Sequence, residues 1–455
     1  MIRAVFLFIL TINSSTAFTQ NTGTPLFPNG SKVCFVGNSI THNGEYYNNL
    51  WLYYATRFPK EKITFYNAGI SGDVAGGVLK RIDTDILVHK PSHVVMMIGM
   101  NDVRRSLYGK GKDNDSLKRN ALDFYKVNTE KTVGIFKEKI GNVILLKPSI
   151  YDQTATLETE NFYGVNDALQ TCGAHMSFLA AKYQTELVDF QSIMLKINLQ
   201  RQKQDSSFTI VSKDRVHPLS AGHFVMTYQF LKDTKAPQYV SKISIGKDLG
   251  QSQKNSFNCK IEKLTSENNT LSFQCLEESL PFPVKEAANI ALEWIPFQEE
   301  FNQQLFQVDN LTKGNYTVYI DDQLITTCSE TELKKGINLA LFSQTPQYKQ
   351  AAEVMKVSNQ YRNTESIIRN LRFVELNHLS GLTAQADLTV VEKHLADRLE
   401  TLKNGGNYEY YHKQFKNYIE KKPSEDEILK KLSSMVNTIY KINQPQIHVF
   451  KIVKQ

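Results

Sequence analysis

The first half of the chain alternates short apolar runs with longer amphipathic stretches. Apolar runs that end in polar, glycine- or proline-marked residues are typical of strands covered on both faces. These predicted strands are Val33–Val36, Ile63–Tyr66, His93–Ile98, Val143–Leu146 and Glu186–Phe190. Helical spacing predicts helices over Glu45–Phe58, Leu117–Ile140, Asp167–Tyr183 and the stretch after Pro218 through Phe230. Strands that alternate with helices indicate right-handed βαβ units, and therefore an α/β domain with a parallel sheet over residues 31–235.

The pattern changes after Lys235-Ala236-Pro237, where we place a domain boundary. Residues 240–345 alternate in the manner of strands, with hairpin turns predicted at Asn268-Asn269 and Asp321-Asp322 and a further strand at Ala291–Ile295. This pattern indicates a small β-sandwich or meander. Residues 346–443 carry helical stripes, and Ser424–Glu427 has the form of a capping box that would open the last helix. Residues 446–453 alternate like a terminal strand that returns to the β-rich domain.

The first 17 residues have the features of a secretory signal peptide. Arg3 supplies the positive charge, Ala4–Ile12 is the apolar segment, and Ser15-Thr16-Ala17 provides small residues for cleavage. The apolar segment is too short to span a bilayer, and no later apolar stretch is long enough to do so. We therefore expect a secreted or periplasmic protein with no integral membrane segment after cleavage.

Composition narrows the function classes. The hydrophobic content of 41% supports folded cores, and the length of 455 residues suits two or three domains. The net charge of +7 comes from 53 basic and 46 acidic residues without a long basic block, so no nucleic-acid partner is expected. Among the cysteines, Cys259 and Cys275 flank a predicted hairpin turn and are candidates for a disulfide. No spacing of cysteines or histidines indicates a metal site, and we expect no cofactor.

The candidate chemistry lies at the ends of the predicted strands. Ser39 directly follows the first strand, at the carboxyl edge where open α/β sheets bind ligands. A serine after a glycine is more often a turn or cap residue, so Ser39 alone decides nothing. Much later in the chain, Asp214 precedes His217 by three residues on a turn that Pro218 restrains. This spacing allows the carboxylate to orient the imidazole ring, which can then accept the serine proton.

Other residues near these positions have a structural interpretation. An aromatic stripe on the first predicted helix, including Tyr47, Trp51 and Tyr54, could stack sugars, but its spacing favours a helix that faces the core. The histidines at positions 42, 89, 93 and 223 are assigned no catalytic role. Tyr151 and Asp152 could line a cleft, but loop packing is the simpler interpretation.

Four short stretches in order resemble the sequence blocks of the SGNH hydrolases, also called the GDSL esterase family. They are Gly37-Asn38-Ser39-Ile40, Ile70-Ser71-Gly72-Asp73, Gly99-Met100-Asn101-Asp102 and Asp214-Arg215-Val216-His217-Pro218. The resemblance covers about residues 31–235 and implies a three-layer α/β/α, flavodoxin-like hydrolase domain. Asn38 departs from the family pattern, which has aspartate there, but this position is not the nucleophile.

The resemblance implies a role for each matching residue. Ser39 would be the nucleophile, His217 the general base and then acid, and Asp214 the residue that orients the histidine. The backbone N–H groups of Ser39 and Gly72 and the side-chain amide of Asn101 would form the oxyanion hole. These residue types suit that chemistry, because glycine lets the backbone approach a substrate closely and an amide offers a neutral donor.

A looser resemblance links the C-terminal half to secreted bacterial SGNH esterases thought to act on plant polysaccharides. It rests on the stretches Gly314–Asp321, Gly336–Ala340 and Thr345–Gln347. Together the resemblances imply a metal-independent serine esterase that removes acetyl groups from a carbohydrate. Two alternatives remain open: a lipid-directed esterase such as a lysophospholipase, and a glycan-binding protein without catalysis. The acyl group, the sugar and the oligomeric state are not predicted.

Overall fold

A computed structural model describes residues 25–109, 111, 113–382 and 386–455. The predicted signal peptide, residues 1–17, lies outside this range, so its prediction stays untested. No helix in the described residues has the length and apolar character needed to cross a membrane.

The N-terminal region forms a five-stranded parallel sheet in the order β2-β1-β3-β4-β5, between two layers of helices. Its elements are β1 (Lys32–Gly37), α1 (Ser39–Asn43), α2 (Glu45–Arg57), β2 (Thr64–Gly69), α3 (Ala75–Lys80), β3 (His93–Met97), α4 (Asp115–Lys139), β4 (Asn142–Leu146), α5 (Val165–Tyr183), β5 (Glu186–Val188), α6 (Phe190–Arg201) and α7 (Ser220–Asp233). The predicted three-layer fold is confirmed, with the flavodoxin-like strand order.

Successive residues of β1 point into different cores. Val33 and Phe35 pack with α2, α6 and α7, whereas Cys34 and Val36 pack with α3, α4 and α5. Alternation across the pleat explains why the whole run is apolar. The sequence pattern missed α6, which begins at Phe190, directly after Asp189 caps it by accepting the N–H of Ser192.

The aromatic stripe of α2 lies in the core, as its spacing predicted. Tyr47, Trp51 and Tyr54 are buried. Every other residue of α2 is buried as well, because α7 and a long C-terminal helix both pack against it. Asn48, for example, hydrogen-bonds to Ser358 and Asn359 of that helix. The periodicity therefore identified one buried face, and the tertiary structure buries the rest of the helix.

The next region is a β-sandwich, as predicted. Its elements are β6 (Tyr239–Ile245), α8 (Leu249–Asn255), β7 (Cys259–Glu267), β8 (Thr270–Glu277), α9 (Phe297–Phe301), β9 (Gln303–Val308), β10 (Asn315–Ile320), β11 (Gln323–Ser329), α10 (Glu330–Lys335) and β12 (Ile337–Asn338). A five-stranded sheet, β11-β10-β13-β8-β7, faces a three-stranded sheet, β12-β9-β6, where β13 (Ile447–Lys454) is the last strand of the chain. Phe273, Phe306 and Phe450 join the two sheets in one core.

Two details of this region differ from expectation. The predicted strand Ala291–Ile295 is wrong: most of it lies in a 3₁₀ helix, Glu286–Glu293. Ala288, Ala291 and Ile295 are buried, and their spacing suits one face of a helical turn. The candidate disulfide is also absent from the described residues, where Cys259 and Cys275 are free thiols. The register places neither cysteine directly opposite the other.

The helical region consists of α11 (Pro346–His378), α12 (Leu388–Leu402), α13 (Tyr408–Lys421) and α14 (Glu425–Ile442). The predicted capping box at Ser424 does not form. A 3₁₀ turn, Lys422–Ser424, leads straight into α14, so Ser424 does not take the extended conformation of a capping residue. The predicted terminal strand is confirmed as β13.

Helix α11 covers the outer edge of β2, the edge strand of the parallel sheet. Its side chains satisfy backbone groups that an edge strand leaves unpaired. Hydrogen bonds join Glu365 to the N–H of Asn67 (2.9 Å), Tyr361 to the carbonyl of Phe65 (3.3 Å) and Arg369 to the carbonyl of Gly69 (3.2 Å). The helical region is thus packed directly against the parallel sheet.

Candidate active site

The turn after β1 places Ser39 at the carboxyl edge of the sheet. Ser39 is the first residue of α1, and Asn38 caps this helix by accepting the N–H of Ile40 at 3.3 Å. Asparagine and aspartate both cap well, which accounts for the departure at Asn38. Position 37 has no room for a side chain, because a Cβ there would lie 2.3 Å from the hydroxyl oxygen of Thr41.

Ser39, His217 and Asp214 form one hydrogen-bonded chain. The Ser39 Oγ lies 2.7 Å from His217 Nε2, and His217 Nδ1 lies 2.5 Å from Asp214 Oδ2. Because Nδ1 donates to the carboxylate, Nε2 is left to accept the serine proton. The structure therefore brings together, across 178 residues of sequence, the residues that two distant motifs predicted.

The carboxylate of Asp214 is held by further donors. Its Oδ1 accepts the backbone N–H groups of Val216 and His217 and the hydroxyl of Ser212, at 2.9, 3.0 and 2.6 Å. Partial burial disfavours the charge, but the hydrogen bonds from His217 and the other donors outweigh it and hold the pKa of Asp214 well below its usual range. Asp214 therefore stays ionised beside the histidine ring.

Arg215, the residue after Asp214, adopts a left-handed backbone conformation with φ of 69° and is buried. All five N–H donors of its guanidinium are used on four backbone carbonyls of the loop after β4. The acceptors are Asp152 (3.0 Å), Ala155 (3.0 Å), Leu157 (3.3 Å) and Thr159 (3.0 and 3.3 Å). Arg215 therefore fastens the turn that carries Asp214 and His217 to a neighbouring loop.

The predicted oxyanion-hole residues lie at one edge of the sheet, just after three neighbouring strands, β1, β2 and β3. Gly72 follows β2 with φ of 80°, and Asn101 follows β3. The amide of Asn101 donates to the carbonyl of Asp73 at 3.0 Å, which joins the two loops. Ser39 heads a helix, where first-turn N–H groups lack intrahelical partners. Within the described residues the N–H of Gly72 donates no hydrogen bond, so it is free for a substrate oxygen.

Residues 35–224 match the model of the GDSL-like lipase/acylhydrolase family. A gut microbial diltiazem-metabolizing enzyme of known structure is 30% identical, with a TM-score of 0.84, over 95% of this chain and 99% of that chain. The chain belongs to the GDSL-like lipase/acylhydrolase family. It is an ester-hydrolysing serine hydrolase, and the likeness to the diltiazem-metabolizing enzyme extends over the β-rich and helical regions.

A second relative matches the catalytic region of the hydrolase. The acetylxylan esterase of Geobacillus stearothermophilus is 25% identical over 221 residues, which are 45% of this chain and 94% of that protein. A crystal structure of an acetylxylan esterase from the same organism is 24% identical, with a TM-score of 0.38, over 46% of this chain and 95% of that one.

No local sequence pattern indicated the buried ionic chain that lies beneath the candidate active site of the hydrolase. Arg81 contacts Asp73 at 2.8 Å and Asp85 at 2.5 Å, and Arg369 of α11 binds both oxygens of Asp85 at 2.8 and 2.9 Å. Burial alone would raise the pKa of Asp85, but the two guanidinium groups hold it well below its usual range. The 284 residues between Asp85 and Arg369 hide this contact from local sequence patterns.

Two further histidines of the hydrolase have structural surroundings. His42 lies between Ser71 and Asn370, and burial together with the charge of Arg369 lowers its pKa to about 3. His223 is buried and stacks on Tyr46. Burial lowers its pKa to about 4, so neither histidine suits proton transfer at neutral pH.

The loop around Tyr151 and Asp152 is packed, in agreement with the structural interpretation. Tyr151 is buried, and Asp152 accepts the N–H groups of Thr154 and Ala155 at 3.0 Å. Over the described residues, no three histidine, cysteine or acidic side chains gather as metal ligands would.

An open groove of about 760 Å³ lies beside the triad. Its walls are the loops at residues 156–159 and 207–213, together with Asp214 and Leu219. Its lining combines polar side chains with the apolar residues Leu157, Val211 and Leu219. The groove therefore borders the triad on the side of Asp214 and offers both hydrogen-bonding and apolar groups there.

Proposed function

We propose that this hydrolase removes O-acetyl groups from a carbohydrate through an acyl-enzyme on Ser39. The observation that carries the proposal is the chain of hydrogen bonds from Ser39 through His217 to Asp214 at the carboxyl edge of the sheet. The carbohydrate is supported by the likeness to an acetylxylan esterase over the catalytic region.

The geometry suits acyl transfer in two steps. Ser39 Oγ attacks the acetyl carbonyl carbon while His217 Nε2 takes the serine proton, and Asp214 stabilises the resulting imidazolium. The carbonyl oxygen becomes an oxyanion that the N–H groups of Ser39 and Gly72 and the amide of Asn101 stabilise. The intermediate collapses, and His217 protonates the departing sugar oxygen.

The second step regenerates the enzyme. A water molecule gives a proton to His217 and attacks the acetyl-serine carbonyl, and the same oxyanion hole holds the second intermediate. Collapse breaks the bond to Ser39 Oγ, which recovers its proton from the imidazolium. Acetate leaves, and the resting state of Ser39, His217 and Asp214 returns.

The side chains of the groove suit a carbohydrate. Sugar hydroxyls can pair with the threonine, serine and lysine side chains on its walls, and the sugar rings can pack against Leu157, Val211 and Leu219. Export through the predicted signal peptide would place the enzyme where polysaccharides are found.

The test compares the chain from residue 18 onward with its Ser39→Ala variant. Substrates are nitrophenyl acetate, butyrate and octanoate, acetylated xylo-oligosaccharides, and diltiazem, which is itself an acetate ester. We expect rates that fall with acyl length, acetate release from the oligosaccharides, and no turnover by Ser39→Ala. Faster octanoate hydrolysis would replace the proposal with a lipid-directed esterase. A folded wild type that binds glycans but hydrolyses no ester would replace it with a binding protein.

A further inference from the structure

We infer that helix α11 positions the oxyanion-hole loop of the hydrolase, and that Asn370 and Arg369 are positioning residues for ester hydrolysis. The loop is residues 69–73, which connect β2 to the stretch before α3 and contain Gly72. The inference rests on the proposed role of Gly72 as an oxyanion donor. It gives the helical region a role in ester hydrolysis, although none of the triad residues belongs to that region.

One line of contacts runs from Asn370 through His42 to the loop. His42 Nδ1 accepts the backbone N–H of Ser71 at 3.2 Å, so this nitrogen carries no proton. The other ring nitrogen therefore carries the hydrogen and donates it to Asn370 Oδ1 at 3.2 Å. The low pKa of His42 keeps the ring in this neutral form. Ser71 directly precedes Gly72, so the ring sets the position of the peptide that leads to the donor.

The second line of contacts runs through charges. Arg369 donates to the carbonyl of Gly69 at 3.2 Å and binds Asp85 through two hydrogen bonds. Asp85 pairs with Arg81, and Arg81 in turn pairs with Asp73, the residue after Gly72. No member of this chain has a side chain more than 8% exposed.

The two lines hold the loop on both sides of Gly72. Ser71 is fixed by the imidazole, and Asp73 is fixed by its carboxylate, while its carbonyl accepts the Asn101 amide. A third predicted oxyanion donor is thereby tied to the same short segment. Because oxyanion donors act only when they are held where the charge develops, a shift of this segment lowers the rate more than it lowers substrate binding.

The helix offers a matched pair of asparagines for the test. Asn370 contacts His42, whereas Asn359, also on α11, accepts a hydrogen bond from Asn48 of α2 and does not touch the loop. Both are replaced by alanine in the full chain. Steady-state hydrolysis of nitrophenyl acetate is expressed per titrated active-site serine, so misfolded enzyme does not count.

We expect Asn370→Ala to lower kcat on the order of tenfold at nearly unchanged KM, because the loop moves but no donor is removed. Asn359→Ala should change kcat less than twofold. Affinity for phenylboronic acid, which forms a tetrahedral adduct with the serine, should fall in parallel with kcat for Asn370→Ala only. Equal kcat for the two variants, or an unchanged boronate affinity in Asn370→Ala, overturns the inference.

A second set of three variants tests the contacts that run through charges. Arg369→Lys keeps a cation beside Asp85, whereas Arg369→Gln removes it, and Arg372→Gln is the control on the same helix, since Arg372 pairs with Glu375 and Glu425 instead. We expect kcat to fall from the wild type to Arg369→Lys and further to Arg369→Gln. Arg372→Gln should keep the wild-type kcat. A wild-type kcat in the folded fraction of Arg369→Gln contradicts this line. A wild type without esterase activity would instead overturn the proposed function, so the two failures are distinguishable.

Discussion

Replacing Arg215 with glycine tests whether the loop clamp maintains the catalytic turn. The change removes the guanidinium that donates five hydrogen bonds to the loop at residues 152–159. It also removes the Cβ from a backbone with φ of 69°, a conformation that costs a side-chain-bearing residue about 1–2 kcal/mol. The two effects oppose each other, and a paired substitution separates them.

The contacts at Arg215 set the magnitude. A hydrogen bond from a charged group contributes about 1.5–3 kcal/mol, and the low end applied to the three bonds at 3.0 Å gives about 4.5 kcal/mol. Glycine relieves about 1 kcal/mol of left-handed backbone strain, so Arg215→Gly should lose about 3.5 kcal/mol of unfolding free energy. Arg215→Ala lacks the relief and should lose about 1 kcal/mol more than Arg215→Gly.

The assay combines urea unfolding with nitrophenyl acetate kinetics. Both Arg215 variants should show a similar fall in kcat, on the order of 10- to 100-fold, because a small displacement of Asp214 and His217 misaligns proton transfer. Lys90→Gly is the control: Lys90 is exposed, has φ of 49°, and precedes β3 at the opposite edge of the sheet. Wild-type kcat in Arg215→Gly, or equal stability of the Gly and Ala variants, would refute the reasoning.

Four further substitutions test the site and the residues that support it. Asn101→Ala should lower kcat roughly 10²–10³-fold with little effect on KM in steady-state assays, since one predicted oxyanion donor is lost. Gly69→Ala would place a Cβ 2.2 Å from the backbone nitrogen of His42 and should cost about 3 kcal/mol or more in urea unfolding, whereas Gly72→Ala meets no atom within 4 Å and should cost about 1 kcal/mol. Burial raises the pKa of Glu365 from 4.5 to about 7, so its contribution to folding is complete below about pH 4.5 and is lost as the pH rises through about 7. Glu365→Gln should therefore flatten the pH dependence of unfolding over this range by about 3 kcal/mol, and an unchanged slope in urea titrations would contradict this assignment.

Much of the fold was predictable because its signals are local. Apolar runs predicted every strand of the parallel sheet, and the turns at Asn268-Asn269 and Asp321-Asp322 take the left-handed conformations that asparagine and aspartate tolerate. Local spacing failed at residues 286–295, where a helical turn replaces the predicted strand, and at α6, whose cap was overlooked.

The candidate site likewise combines contacts that local sequence predicts with contacts that it does not. Asp214 and His217 are three residues apart, so one turn determines their contact, and the carboxyl-edge rule places Ser39 near them. The hydrogen bonds by which Arg215 holds their turn in place were not predictable, because the carbonyls that Arg215 binds belong to a loop more than 50 residues upstream.

The sequence by itself determined the strands and the α/β class, because periodicity and turn chemistry depend on neighbouring residues. It also placed Asp214 three residues before His217, whereas the oxyanion candidates came from the resemblance of short blocks to the SGNH family. Only the tertiary structure decided that Asn370 and Arg369 lie against the oxyanion-hole loop, that α11 covers the edge of β2, and that β13 lies inside the five-stranded sheet. These contacts join elements that are far apart in the sequence, and each forms only when folding brings the distant element against the polar group and excludes water from it. A buried charge gains its stabilising partner only when the chain has folded, and no local pattern records that choice.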